Sequence, residues 1–184
     1  MISLSTIQNA IFDALAACFG LSADSAAASA LIHPAYTEPE NAPRPARSLN
    51  VVYFDLMAED DPGDRGQSES RAASSGQLMT RFSLRLCYRL QIICYGPDAE
   101  AHARRIRSLL YLDGAGKPRQ ILRKSGIFPI PDPPQPLLLH EQEGTLWRNR
   151  CDLTVSLRIA DILETPIHDA THVPAVILHT HVNP

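Results

Sequence analysis

The sequence predicts an α+β fold: a mainly antiparallel sheet with a long β-hairpin, packed by two α-helices. Two long stretches alternate apolar and polar residues, the mark of strands with one buried face. Two other stretches repeat apolar residues at helical spacing. Between two of the strands lies a polar run too hydrophilic to pack.

Residues 5–20 read as the first helix, because Ile7, Ile11, Leu15 and Phe19 share one face. Ser5 or Thr6 is the expected cap, and Gly20 the left-handed closing residue. Residues 21–47 are rich in Ala, Ser and Pro, and Pro34, Pro39, Pro43 and Pro45 restrict their predecessors. Residues 33–47 are therefore expected to form an extended surface arm. Residues 49–57 read as a strand, and residues 58–77 as a mobile polar loop at the tip of the hairpin.

The next strand covers residues 78–95. Phe82, Leu84, Leu86, Tyr88, Leu90, Ile92 and Cys94 fall on one face; Arg85, Cys87, Arg89 and Gln91 fall on the other. A second helix follows over residues 98–112, with Ala99, Ala103, Ile106 and Leu110 as its apolar stripe. A turn, a short apolar piece and a rigid proline segment lead to a second long strand. There Trp147, Cys151, Leu153, Val155, Leu157 and Ile159 are expected to face in, and Arg148, Arg150, Asp152, Thr154, Ser156 and Arg158 out. Residues 164–184 are expected to form an extended tail. The whole reads as one α+β domain, and 184 residues leave little room for two.

Bulk chemistry narrows the function. The net charge is −3 with His neutral, so a strongly basic nucleic-acid footprint is absent. No apolar run approaches the roughly 20 residues of a membrane span, and the start of the chain lacks the basic region of a signal peptide. Cys18, Cys87, Cys94 and Cys151 form no C-x-x-C pair and read as free, mostly buried thiols.

The sharpest local feature is the strand-to-helix corner Tyr95-Gly96-Pro97-Asp98. It lacks the G-x-G-x-x-G of a dinucleotide site and the Gly-Lys-Ser/Thr end of a P-loop. A tight corner fits better: Gly96 permits the turn, Pro97 suits a first helical turn, and Asp98 can cap or face the helix dipole.

The tail segment His168 to His172 is a near-miss of the zinc-protease motif, with Asp169 in the place of its Glu, but Pro166 and Pro174 leave it too short for a helix. His179 and His181 would share a strand face. A small hydrolase with a metal in this tail, and a monomeric adaptor, are the alternative readings. Glu59, Asp60 and Asp61 read as a solvated loop tip, because catalytic carboxylates need rigid support. No nucleophile signature occurs. No catalytic, cofactor or metal residue is therefore assigned. The arginines Arg85, Arg89, Arg148, Arg150 and Arg158 would form a basic ladder if their strands neighbour each other, either as a solvated sheet face with cross-strand charge pairs or as a subunit interface or a lumen surface near DNA.

The order of these segments resembles the neck or tail terminator proteins of tailed bacteriophages. The match is carried by Leu90-Gln91-Ile92 through Tyr95-Gly96 leading into an Ala-rich helix, by Gly126 to Pro134 (GIFPIPDPP), and loosely by Arg148 to Val155. The resemblance implies a non-enzymatic virion protein that forms a ring, a hexamer, at the head-proximal end of the tail tube. It implies contacts with the tube protein, the head–tail connector and the sheath, and genomic DNA passing through the lumen without specific binding. It also implies assembly in the host cytoplasm, and neither membrane nor cofactor. Asp60, Asp61, Arg65, Arg85, Arg89, Arg148, Arg150 and Arg158 are the expected interface residues.

Overall fold

The computed structural model describes residues 2–35, 45–60, 67–74, 77–112 and 117–166. They build a 7-stranded mixed sheet with helices against one face.

Helix α1 spans Leu4–Cys18. Its cap is Ser3, one turn earlier than expected: the Thr6 N–H donates to Ser3 Oγ at 3.1 Å. At the other end Gly20, at φ 73°, lets the Leu21 N–H reach Ala16 O and its own N–H reach Ala17 O. That double bond pattern satisfies the last carbonyls of the helix. Ile7, Ile11 and Leu15 are buried, as their spacing requires.

The Ala- and Ser-rich stretch before the expected arm is structured. Ser25 caps a short helix α2, Ala26–Leu31, which runs directly into strand β1, Ile32–Pro34. Ala28 and Ile32 are fully buried. Ala side chains look weak in a sequence, but they let a helix approach the sheet closely. Residues 36–44 lie outside the described residues.

Strand β2, Val51–Glu59, pairs in parallel with β1 and antiparallel with β4, Gln77–Tyr95. The stretch expected to be a loop contains a further strand, β3, Gln67–Ser74, which pairs antiparallel with the first part of β4. The expected long-tipped hairpin is therefore replaced by two strands, β2 and β3, lying end to end along one side of β4. Polar composition did not forbid this, because the ladder to β4 satisfies the backbone whatever the side chains are.

Helix α3, Ala99–Tyr111, buries Ala99, Ala103, Ile106 and Leu110, the expected stripe. A fourth helix, α4, Lys117–Lys124, occupies part of the segment expected to be a turn and a short apolar piece. Pro118 sits in its first turn, where a missing N–H costs nothing, and Leu122 anchors it to the core. Among the described residues four helices, rather than the expected two, accompany the sheet.

Strand β5, Ile127–Pro129, and strand β6, Leu137–Glu143, both pair with the long β7, Leu146–Pro166. Strand β7 pairs with β4 from Met79–Pro166 to Tyr95–Arg150. Leu90, Ile92, Cys94, Cys151, Leu153, Val155, Leu157 and Ile159 form the sheet's contribution to one core shared with the helices. Each large aliphatic side chain buried there stabilises the fold by about 1.5–3 kcal/mol. Asp161 continues this face, 5 % exposed, and accepts the Ile2 N–H at 2.8 Å, tying the start of α1 to β7.

Candidate interaction surface

The second face of the sheet carries no helix among the described residues. Strand alternation puts the odd residues of β2 and β4 and the even residues of β7 on it. Register makes rows of them: Glu59, Cys87 and Arg158 in one, Met57, Arg89 and Ser156 in the next, then Asp55, Gln91 and Thr154. The expected arginine ladder exists in part. Arg158 lies opposite Cys87, diagonal to Arg85 and Arg89. Arg85, Arg89 and Arg158 are exposed, and Arg89 is ion-paired with Glu59. Further along, Arg81 meets Glu164 at 3.5 Å.

Arg148 and Arg150 behave differently. They belong to a compact cluster at the end where β4 meets the Gly96 corner. Arg150 lies opposite Tyr95. Its Nε and Nη2 donate to Asp152 Oδ1 and Oδ2 at 2.7 and 2.8 Å, and Nη1 donates to Glu141 at 3.2 Å. These bonds push its pKa upward, with the Asp152 bonds as the main cause. The Tyr95 hydroxyl donates to the same Glu141 at 2.7 Å. Burial first, then that bond, raises the Tyr95 hydroxyl to about 12. The Tyr53 ring meets Tyr95 edge-on at 6.0 Å, and His33 lies 5.7 Å from Tyr53.

Arg148 was expected to point to solvent. It is 7 % exposed, with its guanidinium 4.6 Å from the centre of the Tyr95 ring. Trp147 was expected inside and is 64 % exposed. The pleat is as expected, since Trp147 is in phase with Cys151. The helices, however, do not reach beyond Cys151, so nothing among the described residues covers Trp147. Leu146, Leu137 and Leu138, on the same β6–β7 hairpin, are 59 %, 59 % and 46 % exposed.

Asp60 is exposed next to the end of β2. Asp61 and Arg65 lie outside the described residues, as do the tail histidines. Among the described residues no group of three or more His, Cys, Asp and Glu could hold a metal ion, and no helix is long and apolar enough to cross a membrane. Cys18, Cys87, Cys94 and Cys151 are free thiols.

The corner itself is scaffold. Gly96 has φ 111°, and the Asn50 amide bridges it: Nδ2 donates to Asp98 Oδ2 at 2.8 Å and Oδ1 accepts the Asp98 N–H at 3.0 Å. The Asp98 carboxylate is thereby used on Asn50 and makes no capping bond to α3. Across α3, Arg105 donates to Cys18 O at 2.6 Å and Arg107 to Pro134 O at 2.6 Å, so the helix pins both α1 and the proline segment.

Fold and surface together define a small α+β protein with one sheet face packed by helices and the other carrying ordered charges, with exposed apolar residues on the β6–β7 hairpin. A family model described as phage neck terminator protein matches residues 6–181. The chain belongs to that family. Membership implies a structural protein of the phage neck, at the junction of tail and head. No curated protein matches the chain.

Proposed function

We propose that this protein forms a hexameric ring on the head-proximal end of the tail tube. The ring ends tube polymerisation and offers its other side to the head–tail connector, with the sheath as a further neighbour. Its interface includes the region of Asp60, Asp61 and Arg65 together with Arg85, Arg89, Arg148, Arg150 and Arg158.

The observation that carries this reading is the asymmetry of the sheet. One side ends in β1 and β3, the other in β5 and β6, and none of these outer strands has a second strand neighbour among the described residues. Two unlike sides on one subunit are what a heterologous, ring-closing contact requires. The ion-paired state of Arg81, Arg89, Arg104 and Arg150 supports a lumen that lets DNA slide, because tight phosphate binding needs a dense basic surface.

Negative-stain microscopy of the purified protein over a concentration series, alone and with tail tubes, tests the reading. Closed rings in solution, or caps on one end of the tubes, are expected. Uncapped tubes together with monomers at every concentration would overturn it.

A further inference from the structure

Helix α4 carries Lys117, Arg119, Arg123 and Lys124 and no acid, in a chain whose net charge is −3. Helical spacing sorts its side chains. Pro118 and Leu122 are buried, and the side of the helix opposite them is formed by Lys117, Gln120, Arg123 and Lys124, all exposed. Each of these four side chains carries N–H donors. From Lys117 to Lys124 the face runs about 10 Å along the helix axis.

Folding alone does not ask for this arrangement. Arg123 and Lys124, in the last turn, suit the negative end of the helix dipole. Lys117 opens the first turn, which holds no acid, so it stands at the positive end, where a cation is unfavourable. Arg119 and Arg123 are four residues apart, a like-charge spacing that also opposes the helix. Elsewhere exposed arginines are matched: Arg81 with Glu164, Arg89 with Glu59 and Arg104 with Glu100. Among the described residues no ion pair joins Lys117, Arg123 or Lys124 to an acid. Helix α1, packed against α4, has Asp13 as its one charged residue.

Three unmatched cations and an amide in a row fit a row of phosphates. A duplex sets a phosphate every 3.4 Å or so along each strand, so a face about 10 Å long meets several of them. Lysine, arginine and glutamine are the side chains that hold a nucleic-acid backbone without reading its bases. The face carries no aromatic ring on which the bases of a single strand could stack, which favours a duplex. Its position leaves it available. Subunit contacts in the ring reading employ the outer strands β1, β3, β5 and β6, whereas α4 lies on the helix side of the sheet, anchored in the core by Leu122.

We propose that the exposed face of α4 is the subunit's contact with duplex DNA, a sequence-independent contact to phosphates that rests on the ring reading above for bringing DNA to the subunit. Lys117, Arg123 and Lys124 hold the duplex loosely. Repeated around a ring, they make a band of positive charge that centres the duplex in the lumen. The duplex still slides, because each phosphate that leaves a cation is replaced by an identical one.

The test uses the full chain and a short random-sequence duplex, with binding read by fluorescence anisotropy and capping of tail tubes by microscopy. Affinity should fall with salt at a logarithmic slope of about −3 per subunit bound, or roughly 40-fold between about 50 and 200 mM. Lys117→Gln with Arg123→Gln and Lys124→Gln should weaken binding about tenfold or more and flatten the slope, with circular dichroism and tube capping unchanged. Arg123→Gln alone should weaken binding about threefold. Arg81→Gln, the same charge change at the Glu164 pair, should leave it within error. Should the triple variant fail to fold, the comparison of Arg123→Gln with Arg81→Gln decides. No binding by the unaltered chain at low salt, a folded triple variant that binds as before, or equal losses in Arg123→Gln and Arg81→Gln would each overturn the proposal. So would a triple variant that binds DNA normally but no longer caps tubes, which would assign the face to an acidic protein surface. Monomers and uncapped tubes from the unaltered chain would remove the ring reading instead; the unassembled chain presents the same helix, so anisotropy reads its contact with the duplex separately.

Discussion

The side chain of Asn50 stands where a side chain on Gly96 would have to go. A Cβ at Gly96 would lie 2.5 Å from Asn50 Oδ1 and 2.6 Å from the Leu49 carbonyl oxygen, with φ at 111°. The glycine is therefore required twice, by backbone conformation and by the close approach of the chain entering β2. Gly96→Ala is expected to cost about 2–3 kcal/mol, or roughly 5–10 °C in melting temperature for a chain of this length. Asn50→Ala should cost only about 1 kcal/mol, since it loses exposed hydrogen bonds without strain. Thermal unfolding of both variants checks the order; equal losses would mean that the amide, rather than the close approach, dictates the corner.

Asp13 gives a pH signature. Its pKa is raised from 3.8, by burial first and by Asp24 second. The folded chain therefore holds this proton more tightly than the unfolded chain does. The group favours folding below pH 3.8, and that favour is lost as pH rises through the raised value. Asp13→Asn should stabilise the free subunit at pH 7 by a few tenths of a kcal/mol, about 0.3, because solvent screens a half-exposed pair. The gap between variant and unaltered protein should shrink on going to pH 4. Urea unfolding at both pH values measures it, and a gap that grows toward acid would contradict the sign.

Thiol chemistry should be selective. Cys18, Cys94 and Cys151 are fully buried, whereas Cys87 sits half-buried on the open face. Burial raises the Cys18 thiol to about 12 and shifts Cys94 and Cys151 in the same direction. Thiolates are the reactive form, so a thiol reagent should modify Cys87 alone in the native protein and every cysteine in urea. Mass spectrometry of the labelled chain identifies the sites. Native labelling of Cys94 or Cys151 at a similar rate would mean that the β4–β7 core opens readily.

Trp147 is the only tryptophan, next to Arg148 and 64 % exposed. Its fluorescence should be that of a solvated indole in the free subunit and shift to the blue on assembly, and acrylamide quenching should fall in parallel. An unchanged spectrum across an assembly transition would take the β6–β7 hairpin out of the interface. Trp147→Ala should leave the melting temperature within about 2 °C, as expected for an exposed side chain outside the core.

How much of this was readable in the sequence depended on which residues set the periodicity. Ile7, Ile11 and Leu15, and Ala99 through Leu110, repeat often enough to fix the faces of α1 and α3. The alternation through Leu90–Cys94 and Cys151–Ile159 likewise fixes the long strands. The elements that were missed are short or polar. α2 buries mainly Ala28, α4 mainly Leu122, and β3 has a sequence that pairs only because β4 offers it a ladder. Trp147 and Arg148 show a different limit. Alternation tells which face a residue takes, but not whether anything lies over that face. The helices stop at Cys151, so the tryptophan is bare, while Tyr95, brought across by register, covers the arginine. No spacing within the chain pairs position 95 with positions 148 and 150 before the strands are aligned.

The unbroken β4–β7 ladder, from Met79–Pro166 to Tyr95–Arg150, also fixes how the protein answers a pull. A strand of 19 residues is about 60 Å long. Tension applied along these two strands loads their cross-links together, as a lap joint does, and none gives way before the rest. Tension applied across them at the hairpin end would open them one after another, like a zip. The same molecule is thus stiff along one axis and weak along another, and a single-molecule pulling experiment with handles at Met79 and Arg150, compared with handles at Tyr95 and Arg150, would separate the two directions.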